Sequence, residues 1–190
     1  MNERKWKMRN EIAILLADGF EEIEALAPAD IWRRLGLTVK LAGVTGKTVT
    51  STRGIPVTAD LMIDDLKAEN LLFVYLPGGL PGATNLRDDS RVIELIRSVH
   101  ADGGFVGAIC AAPIVLAKAG LSAGRKVTGY PTTEDGVEGL VYTGELTEDS
   151  GDRILTGQGP GAAIPLAFRI AEALGIPAET LAKLKQGMFL

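Results

Sequence analysis

Short apolar runs alternate with helix-period stretches along most of the chain. Glu11 to Ala17 is apolar after its first residue and stops at Asp18-Gly19, the pattern of a strand buried on both faces. From Glu22 to Leu35 the apolar residues fall at helical spacing and Gly36 closes the segment, so a strand, turn and helix are predicted in succession. Leu37 to Val44 restores a strand, and Thr45 to Asp60 mixes β-branched residues with Gly46, Gly54 and Pro56, an irregular β excursion. Leu71 to Leu76 is a further apolar strand broken by Pro77-Gly78-Gly79, and Ser90 to Asp102 carries Val92, Ile93, Leu95, Ile96 and Val99 at helix period before Gly103-Gly104. Phe105 to Ile109 then reads as strand, Ala111 to Ala119 as a helix closed by Gly120, and Lys126 to Gly129 and Arg153 to Thr156 as strands. Pro160 opens a helix running towards Leu174, the position where proline is best tolerated.

Buried strands alternating with helices indicate βαβ units: a mainly parallel sheet covered on both faces, a three-layer α/β/α sandwich. The 190 residues suit one domain, placed at 11–190 behind a basic, flexible extension at 1–10 that contains Arg4, Lys5, Lys7 and Arg9. In sheets of this kind ligands bind beyond the carboxyl ends of the strands. The residues after Leu16, Leu76 and Ile109 are therefore the first place to look.

Composition narrows the classes of function. A net charge of -4 and a pI near 5.1 leave no basic stripe for a phosphate backbone, so no nucleic-acid partner is expected. No apolar run approaches the roughly 20 residues that span a bilayer, and the run after the basic start is too short for a signal peptide. A single cysteine excludes an internal disulfide, and together these features predict the reducing cytosol. One cysteine and one histidine make no zinc cluster, and no metal is expected. Gly78-Gly79-Leu80-Pro81-Gly82 misses the dinucleotide G-x-G-x-x-G spacing, so no cofactor is expected either.

The strand ends themselves hold reactive groups. Cys110 stands between a predicted strand and a predicted helix, flanked by Ala108, Ala111 and Ala112, the setting of a nucleophile elbow. A thiol at a helix N-terminus is drawn towards thiolate. The backbone N–H of Ala111, with one from Gly78 or Gly79, is placed to stabilise an oxyanion after attack on a carbonyl carbon. The competing reading of Cys110 is a buried small hydrophobe. Glu21 and Glu22 suit the start of a helix electrostatically, whereas Glu24 falls deeper among Leu26, Ala27 and Ile31, where a carboxyl would be buried and protonated. Gly157 to Gly161 reads as a tight turn before the Pro160 helix, behind the reacting groups. His100 falls in the last turn of its helix, remote from the thiol, so a Cys-His protease or glutaminase is unsupported.

With these residues in view, the chain resembles the DJ-1/ThiJ/PfpI superfamily, and within it the DJ-1 group with its bacterial YajL-like members. The resemblance rests on Gly19-Phe20-Glu21-Glu22-Ile23-Glu24, Leu76-Pro77-Gly78-Gly79 with Gly82-Ala83 and Asn85-Leu86, Ala108-Ile109-Cys110-Ala111-Ala112-Pro113, and Gln158-Gly159-Pro160-Gly161. It implies a flavodoxin-like sandwich of the class I glutamine amidotransferase type, commonly a homodimer, with Cys110 matching the reactive cysteine and Glu24 the protonated glutamate beside it. The implied activity is cofactor-free, of the glyoxalase III or protein-deglycase class, a hydro-lyase or hydrolase acting on methylglyoxal-type 2-oxoaldehydes or on glycated protein. The alternative is oxidative-stress sensing or chaperone behaviour through oxidation of Cys110. PfpI-type proteolysis is disfavoured, because Ala111 rather than a histidine follows Cys110. Some DJ-1 relatives carry a histidine near the nucleophile; Tyr130 in Thr128-Gly129-Tyr130-Pro131 takes that place here.

Overall fold

Ile12, Ala13, Ile14, Leu15 and Leu16 are all fully buried, so consecutive side chains on opposite faces are both covered and their strand lies inside a two-sided core. The computed structural model describes residues 9–133 and 141–190. In chain order its strands are β1 (Glu11–Leu16), β2 (Thr38–Gly43), β3 (Thr48–Thr50), β4 (Pro56–Thr58), β5 (Leu61–Met62), β6 (Leu71–Leu76), β7 (Phe105–Ile109), β8 (Lys126–Val127), β9 (Val141–Tyr142), β10 (Thr147–Asp149) and β11 (Ile154–Gly157). Among the described residues the helices are α1 (Glu22–Arg34), α2 (Gly82–Asp88), α3 (Ser90–Ala101), α4 (Pro113–Lys118), α5 (Ala163–Ala173) and α6 (Ala178–Gly187).

Seven strands form the main sheet in the order β10-β11-β7-β6-β1-β2-β5. Every neighbouring pair is parallel except β10 with β11. One apolar cluster joins α1 and α5 to one face of the sheet and another joins α3 and α4 to the other, which is the predicted three-layer arrangement. Trp32 ties the first layer together. Its indole N–H donates to the carbonyl of Ala167 at 2.9 Å, and its ring meets those of Phe73 and Tyr75 edge-on, contacts worth more than their buried area alone. No helix among the described residues is long and apolar enough to cross a membrane.

Several sequence expectations shift in detail. Lys126 to Gly129 does not join the main sheet: only β8 is strand, paired in parallel with β9. The helix expected from Ala111 begins at Pro113, because the chain first has to turn out of β7. Pro160 opens a single 3-10 turn, Pro160–Ala162, before α5 takes over. Helices α2 and α6 were not anticipated. Of the expected N-terminal extension, residues 1–8 lie outside the described residues; Arg9 is buried and its guanidinium pairs with Asp102 at 3.0 Å.

From β1 the chain moves to β2 on one side, and from β5 it returns to β6 on the other. This reversal opens a crevice at the carboxyl ends of β1 and β6, where Asp18–Glu24 and Gly78-Gly79 are found, with Cys110 at the end of the neighbouring β7.

Candidate functional site

Cys110 has a positive φ of 61°, a left-handed conformation that costs a non-glycine residue about 1–2 kcal/mol. Its neighbours hold it there. The Cys110 N–H donates to Gly157 O at 2.9 Å, Tyr130 N–H donates to Cys110 O at 2.8 Å, and Ala112 N–H closes the turn onto Ile109 O at 2.9 Å. The result is the predicted elbow, with the side chain only 9% exposed.

Glu24 reaches the same place from α1. Glu21 caps that helix, its carboxylate accepting the Glu24 N–H at 2.8 Å, which orients the first turn. The Glu24 side chain is fully buried, and its Oε2 accepts the Gly78 N–H at 2.8 Å. A Cβ at position 78 would lie 2.6 Å from Cβ of Cys110 and 2.8 Å from Oε2 of Glu24, so only a glycine lets the three segments close on one another. Gly79 has φ +84°, and a Cβ there would come within 2.5 Å of Gly19 O. Gly78→Ala is therefore expected to lower stability by about 1–3 kcal/mol through overpacking and to spread thiol from carboxyl. Thermal unfolding together with Cys110 alkylation kinetics checks both effects.

Burial is the main force on both titrating groups. It raises Glu24 from 4.5 to about 7, opposed by the Gly78 N–H and by the Cys110 thiol. Burial and then the negative charge of Glu24 push Cys110 up to about 12, opposed by the N–H groups of Gly79 and Ala111. The thiol is thus not lowered as the helix-terminus argument anticipates: α4 has six residues, and desolvation outweighs its dipole. Oε1 of Glu24, the oxygen not used by Gly78, has no hydrogen-bond partner among the described residues, and Glu24 and Cys110 each move the other's titration. The two therefore lose their protons as a pair, the first near pH 7 and the second near pH 12.

A cleft of about 410 Å³ opens over the sulfur, lined in part by Gly79, Cys110, Ala111, Tyr130 and Pro160. The sequence analysis named all five. Of the three backbone donors expected around an oxyanion, the Gly78 N–H is engaged by Glu24, whereas the N–H groups of Gly79 and Ala111 face the Cys110 sulfur. Pro160, read as lying behind the reacting groups, forms the cleft wall itself together with Tyr130.

The cleft also contains Glu21, Thr52, Arg53, Leu80, Thr132 and Thr133, which sequence reasoning missed. Thr52 and Arg53 arrive because the β3–β4 hairpin docks on the loop after β1, through Gly19 N–H to Thr50 O and Thr52 N–H to Phe20 O, both at 2.8 Å. The exposed Arg53 guanidinium has no ion-pair partner among the described residues. His100 lies before the opposite end of β7, its Nε2 2.9 Å from Asp152 O. No group of three His, Cys, Asp or Glu among the described residues could hold a metal ion.

Comparison with known proteins agrees with the geometry. Residues 10–173 match the DJ-1/PfpI family. Protein dj-1beta of Drosophila melanogaster is 36% identical over 169 residues, covering 88% of this chain and 90% of that one. The glutathione-independent glyoxalase DJR-1.2 of Caenorhabditis elegans is 32% identical, covering 93% and 95%. The solved structure of oxidized Toxoplasma gondii DJ-1 superposes with a TM-score of 0.88 at 31% identity, covering 94% of this chain and 97% of its own.

Proposed function

The chain belongs to the DJ-1/PfpI family, and on that premise we propose that it converts 2-oxoaldehydes to 2-hydroxy acids without a cofactor, through Cys110 and Glu24. The observation that carries this reading is the strained elbow cysteine sharing a buried pocket with a carboxyl that titrates near neutrality. The glyoxalase name of one relative supports the substrate class.

Above pH 7 the pair holds one proton. The thiol holds that proton in the major arrangement; the reacting one is the minor form with the proton on Glu24 and the sulfur an anion facing the N–H groups of Gly79 and Ala111. The thiolate adds to the aldehyde carbon, and Glu24 gives its proton to the oxygen, forming a hemithioacetal. The Glu24 carboxylate then removes the hydrogen from that carbon, giving an enediolate, and returns it to the neighbouring carbon as the hydroxyl proton shifts between oxygens. A thioester of the 2-hydroxy acid results. Water attacks it, the C–S bond breaks, and thiolate and acid are released. One carbon is oxidised and its neighbour reduced, so water is the sole co-reactant. A carboxyl with a pKa near 7 suits both halves of this exchange. Arg53, free at the rim, suits the carboxylate of the product. The same addition applies to the carbonyl adducts of glycated protein. Methylglyoxal conversion followed by NMR tests the reading: lactate is expected to form well above the buffer rate when protein is present, and no lactate above the buffer rate refutes it.

A second reading rests on the sulfur's surroundings. The chain has no other cysteine to trap a sulfenic acid as an internal disulfide, and the backbone donors around Cys110 suit a sulfinate. The oxidized state named for the Toxoplasma relative supports it. Mild peroxide is expected to add one and then two oxygens to the intact mass of the wild type but not of Cys110→Ser; an unmodified wild type ends this reading. A homodimer also stands as a proposal, supported by the exposed apolar side chains of Ile23, Ile55 and Leu80.

A further inference from the structure

Tyr130 stands at the edge of the cleft over the sulfur. A second cleft, of about 500 Å³, shares Tyr130, Thr132 and Pro160 with the first and continues past them to Pro131, Leu146 and Ala162. Leu146 and Tyr130 remain 49% and 52% exposed, large apolar groups that the core does not use. Both are held in place. Tyr130 N–H is bonded to Cys110 O at 2.8 Å, and Thr133 N–H and Oγ1 both donate to Tyr130 O. A Cβ at Gly159 would touch the Tyr130 ring at 3.6 Å, so the ring lies close to the Gly159 backbone. Leu146 is fixed by Gln158 N–H donating to its carbonyl at 3.0 Å, while the Gln158 side-chain nitrogen is engaged by Gly144 O at 3.3 Å. At Gly161, on the same lining, an added Cβ would meet nothing within 4 Å, so the space there is open.

We infer that this apolar cleft is the subsite for the carbon substituent of the 2-oxoaldehyde, and that aryl and longer alkyl 2-oxoaldehydes are preferred over methylglyoxal. The inference rests on the glyoxalase reading for the reacting end and on the cleft's own lining for the other. With the aldehyde carbon at Cys110, the group on the ketone carbon points either to solvent or past Tyr130. A methyl group is too short to use the second cleft. A phenyl ring fits its apolar walls, and the Tyr130 ring offers it an aromatic neighbour. Even one methylene in an apolar pocket is worth about tenfold or more in discrimination.

The products separate the two ideas, because they bind without reacting. Mandelate, the product of phenylglyoxal, is expected to bind the wild-type protein at least about tenfold tighter than lactate, the product of methylglyoxal. Leu146→Asp puts a charge on the half-exposed wall, and Gly161→Leu fills the open space. Each is expected to bring the mandelate-to-lactate affinity ratio close to one, measured by NMR titration. Equal affinities in the wild type, or an undiminished ratio in both variants, overturn the subsite. Turnover then tests the reading beneath it. Loss of conversion of both aldehydes with the mandelate preference intact refutes the glyoxalase and keeps the subsite, whereas equal kcat/KM for phenylglyoxal and methylglyoxal refutes the subsite and keeps the glyoxalase.

Discussion

Cys110→Ser is expected to lower methylglyoxal turnover by at least about 10³-fold, the scale on which removing a nucleophile collapses a catalytic unit. Serine keeps the shape of the side chain and the elbow that holds it, so the loss reads out the chemistry of one atom. A buried hydroxyl ionises far less readily than a thiol, and the carboxyl beside it, titrating near 7, is too weak a base to change that. The backbone donors of Gly79 and Ala111 would remain and would have no adduct to stabilise. Residual activity within tenfold of the wild type would mean that the aldehyde is attacked by water or by another group.

Glu24→Gln has a catalytic and a thermodynamic consequence. Loss of the positioned acid and base is expected to reduce turnover by about 10²–10⁴-fold. Stability should respond with the opposite sign at neutral pH. In the folded chain Glu24 keeps its proton up to about 7 rather than 4.5, so between these values the folded state binds more protons than the unfolded one, and stability falls as pH rises. The penalty is absent below 4.5, grows through the window and levels off above about 7, reaching about 3 kcal/mol. Glutamine does not titrate and still offers an oxygen to the Gly78 N–H. Relative to the wild type, the variant is therefore expected to gain about 3 kcal/mol between pH 4 and pH 8, measured by urea unfolding at each pH. A stability difference that does not change with pH would mean that Glu24 titrates in the folded chain as it does in the unfolded one.

That Cys110 and Glu24 meet at the strand ends was legible before any coordinates, for a reason that is physical. Buried parallel strands announce themselves as continuous apolar runs, and their carboxyl ends are where such sheets bind ligands, so Glu24, Gly79 and Cys110 fall out of the strand pattern. What the pattern lacks is depth. The helix after Cys110 argued for a lowered thiol, whereas the amount of protein over the sulfur, which depends on contacts with α1 and the glycine loop, pushes it upward. Arg53 and Thr52 were hidden for a related reason: their route to the cleft is the docking of a hairpin on a loop some thirty positions earlier, and no local periodicity encodes that. Helix α2 escaped because Gly82-Ala83-Thr84-Asn85 carries too few apolar residues to show a period. Strand β8 was found but assigned to the wrong sheet, since two residues of strand do not say which neighbour they will choose. Tyr130, noticed first as a replacement for a histidine, turns out to divide two clefts.

That Cys110 and Glu24 act as one titrating unit is tested most directly by the pH dependence of Cys110 alkylation with iodoacetamide, in the wild type and in Glu24→Gln. The wild-type rate is expected to show a first rise with a midpoint near 7, where loss of the pair's first proton gives access to the minor form with the charge on sulfur, and a second rise towards about 12, where the thiol itself ionises. In Glu24→Gln the first rise disappears and the midpoint moves above the ordinary thiol value of about 8.5, because burial still opposes the anion. A shared midpoint in the two proteins, or a wild type that stays unreactive until about 8.5, would contradict the account.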